Sequence, residues 1–172
     1  DFLGSSDTLI SSAKLKSLIF EDPIQKNKGL DVYFNPIEDR SYFITVDVAR
    51  GTENDYSAFV VFDITEFPWR VVAKYKNNQI KPMLFPSIIS DVAKAYNQSY
   101  ILVEINDIGE QVANILHFDL EYDNVLMCSM RGRSGQIVGS GFSGKKSQLG
   151  VRTTAAVKKL GCSNLKTLME DD

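Results

Sequence analysis

The sequence predicts an α/β domain on a mixed sheet, with three antiparallel strands first, parallel strands after them, and helices flanking. Three observations carry that reading. Residues 42–76 hold three stretches rich in β-branched and aromatic residues on short polar connections, the pattern of an antiparallel meander. The apolar period then changes from about 2 to about 3.6 at Phe85. A compact apolar run, Tyr100 to Ile105, follows that helical pattern, as a buried parallel-type strand does. Composition agrees: 172 residues with 44% hydrophobic and 24% charged residues suit one domain with a substantial core and exclude general disorder. No apolar run approaches the roughly 20 residues of a membrane span.

Each element has a local reason. Residues 1 to about 40 alternate apolar patches with polar stretches and read as an irregular lead-in. Tyr42 to Ala49 is the first strand, closed by the polar turn Arg50 to Asp55. Tyr56 to Ile64 and Trp69 to Lys76 follow, the latter alternating Val71, Ala73 and Tyr75 against Val72, Lys74 and Lys76. Phe85, Ile88, Ile89, Val92, Ala93 and Tyr96 then share one helical face. Asp107 with Glu110 three residues on reads as a capping box, opening a helix whose inner face is Ile108, Val112, Ile115 and Leu116. Val125 to Cys128 reads as a fifth strand. Residues 131–150 hold six of the eleven glycines and read as an excursion or hairpin. Helical pattern resumes from Val151 to Leu160, is stopped by Gly161, and returns after Ser163. Doubly wound nucleotide-binding folds do not begin with a three-strand meander. The ribonuclease H-like fold does, but actin-like ATPases and sugar kinases share the layout, so it chooses no function.

Two acids stand where strands do not favour them. Asp47 lies within Phe43 to Val48, and Glu104 within Ile101 to Ile105. Carboxylates are depleted from strands, and desolvating one unpaired costs several kcal/mol. The pair makes sense if the strands are neighbours and a divalent cation sits between the carboxylates, since Mg²⁺ prefers hard oxygen ligands. The alternative is that each pairs with a Lys or Arg or lies at an exposed strand end. Asp55, eight residues past Asp47, is a turn residue that can also reach a cation through water. Asp107 reads as a helix cap, His117 as structural or surface, Trp69 as core or rim, and Cys128 as core. With two cysteines, one histidine and no CxxC, a disulfide scaffold, a zinc site and a Cys-His or Ser-His pair are poor readings.

The net charge of −3 conceals a segregation. Residues 124–169 contain no Asp or Glu but eight basic residues, including Arg131, Arg133, Lys145, Lys146 and Arg152. The remainder holds 11 Lys+Arg against 22 Asp+Glu. An acidic body joined to a basic segment suggests a surface for a polyanion such as DNA, against the plainer reading of a solvated face.

Three stretches carry a closer resemblance: Val46 to Phe59, Leu102 to Gly109, and Arg131 to Arg133 through Gly139 to Lys146. They resemble the C-terminal nuclease domain of the large terminase subunit of T4-like tailed bacteriophages, from about Ser6 to the last residue. The resemblance implies a ribonuclease H-like fold and a Mg²⁺- or Mn²⁺-dependent endonuclease that cuts concatemeric double-stranded viral DNA with little sequence preference. By motif, the family's first two catalytic acids fall on Asp47, the ligand shared by both metals, and Glu104, a ligand of one that also positions the water. The family's third acid follows a later strand. It is not assigned to Asp171 or Asp172, which end a helical stretch with no strand before it, and is expected beyond Asp172. The chain therefore reads, over residues 1–172, as a nuclease domain trimmed at its C-terminal end and impaired in cutting. Its basic Gly-rich excursion lies near 129–150. No GxxxxGK[ST] is present, so the family's ATPase domain is expected upstream. The implied partners are viral DNA, the portal protein, the small terminase subunit and that ATPase, with no membrane. The implied location is the host bacterial cytoplasm, at the procapsid portal during packaging.

Arg131, Arg133, Lys145, Lys146 and Arg152 are the candidate phosphate contacts. Two rivals remain open: another ribonuclease H-like nuclease of the resolvase or hybrid-specific type, and a catalytically inert DNA-docking module.

Overall fold

Strand pairing begins earlier than the sequence pattern suggests. In the computed structural model, which describes residues 9–18, 20–53, 55–130, 136–138 and 147–170, the expected irregular lead-in contains helix α1 (Ser12–Ser17) and a hairpin of β1 (Gln25–Asn27) and β2 (Leu30–Val32). The hairpin turns at Lys28 and Gly29, both with positive φ (45° and 93°), the left-handed pair that a two-residue turn between twisted strands requires. Gly29 is also a close approach, because a Cβ there would lie 2.6 Å from the Lys76 carbonyl oxygen.

The described residues divide into two units. The larger, Pro23–Arg152, carries a six-stranded sheet. Strands β3 (Tyr42–Asp47), β4 (Ser57–Asp63) and β5 (Arg70–Asn77) form the expected antiparallel meander. Strand β6 (Tyr100–Val103) lies parallel to β3, and the spatial order is β1-β2-β5-β4-β3-β6. A mixed sheet with one parallel pair at its open end is the architecture of the ribonuclease H-like fold.

One face of the sheet is buried. Ile44 and Val46 of β3, Phe59 and Val61 of β4, and Ile101 and Val103 of β6 pack with Phe85, Ile89 and Ala93 of α2 (Phe85–Ala95) and Val112 of α3 (Gly109–Asn114). Phe59, Tyr75 and Phe85 stack with centroids 5.1 to 6.1 Å apart. The alternation expected for β5 is broken. Val61 pairs with Ala73 and Phe62 with Val71, so Val72 is the extra residue of a β-bulge. Val72 and Ala73 both turn inward, and Val71, expected on the inner face, is 40% exposed.

A further expectation, the capping box at Asp107, is corrected. The helix after β6 starts at Gly109, and Asp107 does not cap it. Asp107 has φ of 52° and its carboxylate is paired with Arg50. The helix closes in a π-helical turn, Ile115–Asp119, with Leu116 buried.

Two short segments lie end to end along the outer edge of β6. Val125 bridges Ile101 in parallel, and Val151 bridges Glu104 in parallel. Between them the chain makes a separate antiparallel sheet of β7 (Met127–Met130), β8 (Gln136–Val138) and β9 (Ser147–Leu149), ordered β8-β7-β9. The Gly150 N–H donates to the Leu126 carbonyl at 2.8 Å, closing the neck of this excursion.

The smaller unit comprises residues 1–22 and 153–172. Its α4 (Ala155–Glu170) runs straight through Gly161, which therefore does not end the helix. Nothing lies within 4 Å of a Cβ built at Gly161, so the position faces open space. An exposed helical glycine costs only about 1 kcal/mol relative to alanine, and the flanking residues carry that. The Ser11 N–H donates to Glu170 Oε1 at 3.2 Å. No helix among the described residues is long and apolar enough to cross a membrane.

Candidate active site

The register of one strand pair sets the site. In the parallel β3–β6 pair, Thr45 faces Leu102 and Val46 faces Val103. The Glu104 N–H donates to the Val46 carbonyl at 2.9 Å, which continues the ladder one residue further and sets Asp47 beside Glu104. Side chains alternate faces along a strand. Val46 and Val103 point into the core, so Asp47 and Glu104 both point to the opposite face. Thr45, Leu102, Ala58 and Val60 share that face around a hollow of 280 Å³.

The Asp47 carboxylate is perturbed by its surroundings. Burial raises the Asp47 pKa above its ordinary 3.8, and the hydrogen bond to Glu104 and the Glu104 charge add to the rise. The Val48 N–H opposes it, and the Asp55 charge contributes in the raising direction. Glu104 accepts from the Asn106 side-chain amide at 3.0 Å, which orients it. Among the described residues neither acid forms an ion pair with Lys or Arg. Asp63, a strand acid the sequence reading did not single out, shows the contrast. It is buried, and Arg40 Nη1 holds it at 2.5 Å. Asp63 is a neutralised structural acid, while Asp47 and Glu104 are a like-charge pair without a compensating cation among those residues.

Such a pair fits a divalent metal. Both donors are hard oxygens from neighbouring strands, and two like carboxylates this close relieve their repulsion best by sharing a cation. Asp47 and Glu104 are the residues that would hold it. Asp55 lines a neighbouring cavity of 440 Å³ together with Asp47, Arg50, Tyr56 and Asp107. Among the described residues no cluster of three or more His, Cys, Asp or Glu with metal-binding geometry occurs, so Asp55 does not complete a triad.

The remaining candidates divide. Arg152 is exposed and directly follows Val151, whose backbone pairs beside Glu104. Arg131, Arg133, Lys145 and Lys146 lie outside the described residues. Cys128 is buried and Trp69 is 60% exposed, a rim rather than a core position. His117 is half-buried and meets Phe118 edge-on.

The sequence reading missed the pairing of Arg50 with Asp107. Arg50 Nε donates to Asp107 Oδ2 at 2.8 Å, and Nη2 donates to Oδ1. That hydrogen bond, with the Arg50 charge, holds the Asp107 carboxyl below its ordinary range. No local signal reveals it, because the partners are 57 residues apart.

Comparison with known proteins bears on this geometry. The magnesium-bound large terminase nuclease of thermophilic phage G20c superposes with a TM-score of 0.70 at 18% identity, over 98% of this chain and 72% of that one. Its cobalt-bound form gives 0.69 at 20% identity over the same shares. The large terminase nuclease domain of Thermus phage P74-26 gives 0.61 at 19% identity, over 92% and 67%. At these identities the likeness carries the fold. The sequence profile of the terminase RNaseH-like domain matches residues 44–172, which spans both acids. With that match over most of its length, this chain belongs to the terminase RNaseH-like domain family.

Proposed function

We propose that this chain is the divalent-metal-dependent endonuclease domain of a viral genome-packaging terminase, and that it hydrolyses phosphodiester bonds of concatemeric double-stranded DNA with little sequence preference. The observation that carries the reading is the unneutralised Asp47–Glu104 pair on adjacent parallel strands, in a fold similar to those of terminase nucleases with bound magnesium and cobalt. Mg²⁺ or Mn²⁺ is the cofactor, and when bound it supplies positive charge to the phosphoryl oxygens and lowers the pKa of water. Asp47 and Glu104 are the residues that would hold it, on the open face of the sheet. Asn106 fixes the Glu104 carboxylate so that it can orient a water towards phosphorus. Asp55 acts from the outer shell, and the family's third carboxylate is assigned to no residue here.

The motif stretches at 46–59, 102–109, and 131–133 through 139–146 favour the T4-like branch. Portal protein, small terminase subunit and an ATPase domain are the partners proposed with it, at the procapsid in the host cytoplasm. Arg131, Arg133, Lys145, Lys146 and Arg152 are proposed to follow phosphates, because the segment between residues 124 and 169 is basic without a single acid.

The test is cleavage of supercoiled plasmid with Mg²⁺, Mn²⁺ or EDTA, run beside a four-way junction and an RNA–DNA hybrid. Cation-dependent nicking of duplex DNA is expected. Preference for the junction or the hybrid would move the chain to another nuclease class, and DNA binding without any cation-dependent cutting would make it a docking module. Neutralising Arg131, Arg133, Lys145 and Lys146 together is expected to weaken binding equally across sequences. Each lost phosphate contact removes about 0.9 from the log–log salt slope. An unchanged slope would assign the segment to another role.

A further inference from the structure

We propose that Arg50 is a phosphate-binding residue of this site, contacting a non-bridging oxygen of the DNA strand in the cavity beside Asp47, and that Asp107 is the positioning residue that holds it there. The inference rests on the nuclease reading and deepens it. The 440 Å³ cavity is lined by the carboxylates of Asp47, Asp55 and Asp107, and Arg50 is the one cation among its described lining residues. A polyanion entering such a cavity is repelled unless a cation meets it. Arginine carries five N–H donors in a planar fork that matches phosphate. Two of the Arg50 donors go to Asp107, and the remainder are left for another acceptor.

The construction of the pair argues for placement rather than stability. Its side chains are 65% and 57% exposed, and an ion pair so open to water contributes little to folding. Yet both partners stand on backbone that the fold over-determines. Gly51, next to Arg50, has φ of 69°, and a Cβ there would lie 2.3 Å from the Ile80 carbonyl oxygen. Asp107 has φ of 52°, a region that disfavours a side chain. Two residues on, a Cβ at Gly109 would lie 1.8 Å from the Glu104 carbonyl oxygen. Strained backbone persists where placement matters. The chemistry also explains why Asp107 is needed. A loose guanidinium in the cavity that Asp47 lines would be free to pair with that carboxylate and compete with a metal. Asp107 holds two of the Arg50 donors, which keeps the guanidinium in the cavity and off the Asp47 carboxylate.

Arg50→Gln, Arg50→Lys, Asp107→Asn and the double variant Arg50→Gln/Asp107→Asn separate these roles. Three readouts are compared: the salt slope of duplex DNA binding in EDTA, Mn²⁺ affinity without DNA, and kcat with KM. Arg50→Gln is expected to lower the salt slope by about 0.9 and leave Mn²⁺ affinity intact. It should also lower kcat by about 10²-fold, the scale of one lost electrostatic stabiliser. Arg50→Lys is expected to restore the slope but not kcat, because an ammonium lacks the fork. Asp107→Asn is expected to keep the slope and weaken Mn²⁺ binding, and the double variant to restore it, since the intruding guanidinium is then gone. A staple with no role in phosphate binding would lower the melting temperature in all variants and leave slope and Mn²⁺ affinity unchanged, which would overturn the proposal. Absence of Mn²⁺ binding and cutting in the unaltered chain would overturn the nuclease reading instead. The slope in EDTA tests Arg50 in either case.

Discussion

Asp47→Asn is expected to yield a protein that melts higher than the parent and no longer cuts DNA. Partial burial of the Asp47 carboxylate, with Glu104 beside it, raises its pKa above the ordinary value. Because the folded value lies above the ordinary 3.8, ionised Asp47 destabilises the metal-free fold. The penalty is fully present above the folded pKa and is relieved as pH falls through it towards 3.8. An amide removes the charge at constant shape. Asp47 is substantially open to water, so screening limits the gain to less than about 1 kcal/mol, or about 1–3 °C in a chain of this size. The parent's melting temperature in EDTA should therefore approach the variant's as pH falls through that window. Mg²⁺ should raise the parent's melting temperature and leave the variant's almost unmoved, since only the parent has the shared ligand. Cleavage should fall by at least about 10²–10³-fold, roughly 3–4 kcal/mol of transition-state stabilisation. Calorimetry and plasmid nicking on the same samples check both halves. A variant that melts lower and still cuts would remove Asp47 from the site.

The second large effect is expected at Gly109. A Cβ there would lie 1.8 Å from the Glu104 carbonyl oxygen and 2.9 Å from its carbonyl carbon. Both neighbours are backbone, so nothing can rotate away. Either the start of α3 or the end of β6 must move, and β6 is pinned on both sides, by Val46 and by Val151. Gly109→Ala should cost about 2–4 kcal/mol, at the upper end of overpacking effects, and lower the melting temperature by about 5–15 °C. Any movement that relieves the clash shifts Glu104. Residual activity measured well below the new melting temperature should therefore be reduced as well, while Gly161→Ala, on an open helix face, should be neutral or slightly stabilising. A Gly109→Ala protein with unchanged melting would show that the 104–109 turn is looser than described.

The parts of the fold legible in the sequence are those with a repeating local signal. Strands β3, β4 and β5 and helix α2 announce themselves by period, and β6 by its unbroken apolar run. Asp47 and Glu104 stand out because a carboxylate inside such a run contradicts its neighbours. Asp63 contradicts its neighbours equally but is satisfied by Arg40, 23 residues away, which no window reveals. The β1–β2 hairpin escaped because strands of three residues carry no period. Its one usable signal was the Lys28-Gly29 turn. Asp107 was misread for a related reason. The spacing to Glu110 is that of a capping box, but the clash that reserves position 109 for glycine and the distant Arg50 decide its conformation. Gly161 was misread as a stop because composition does not say whether a helical glycine faces solvent.

The narrow neck of the excursion has a mechanical consequence. Leu126 and Gly150 are joined by a single hydrogen bond, and Val125 and Val151 are each paired to β6 on either side of it. Gly150, at φ of 76°, sits so close that a Cβ would lie 2.4 Å from the Val103 carbonyl oxygen, so the neck is clamped where it meets the sheet. A force applied to the far end of β7, β8 or β9 reaches the sheet through the Val125 and Val151 pairings, which lie three residues apart on the same edge strand. Because Val151 pairs with Glu104 itself, a load carried by the excursion would reach the site through the backbone of that carboxylate, and the Gly150 clamp is the last point before it.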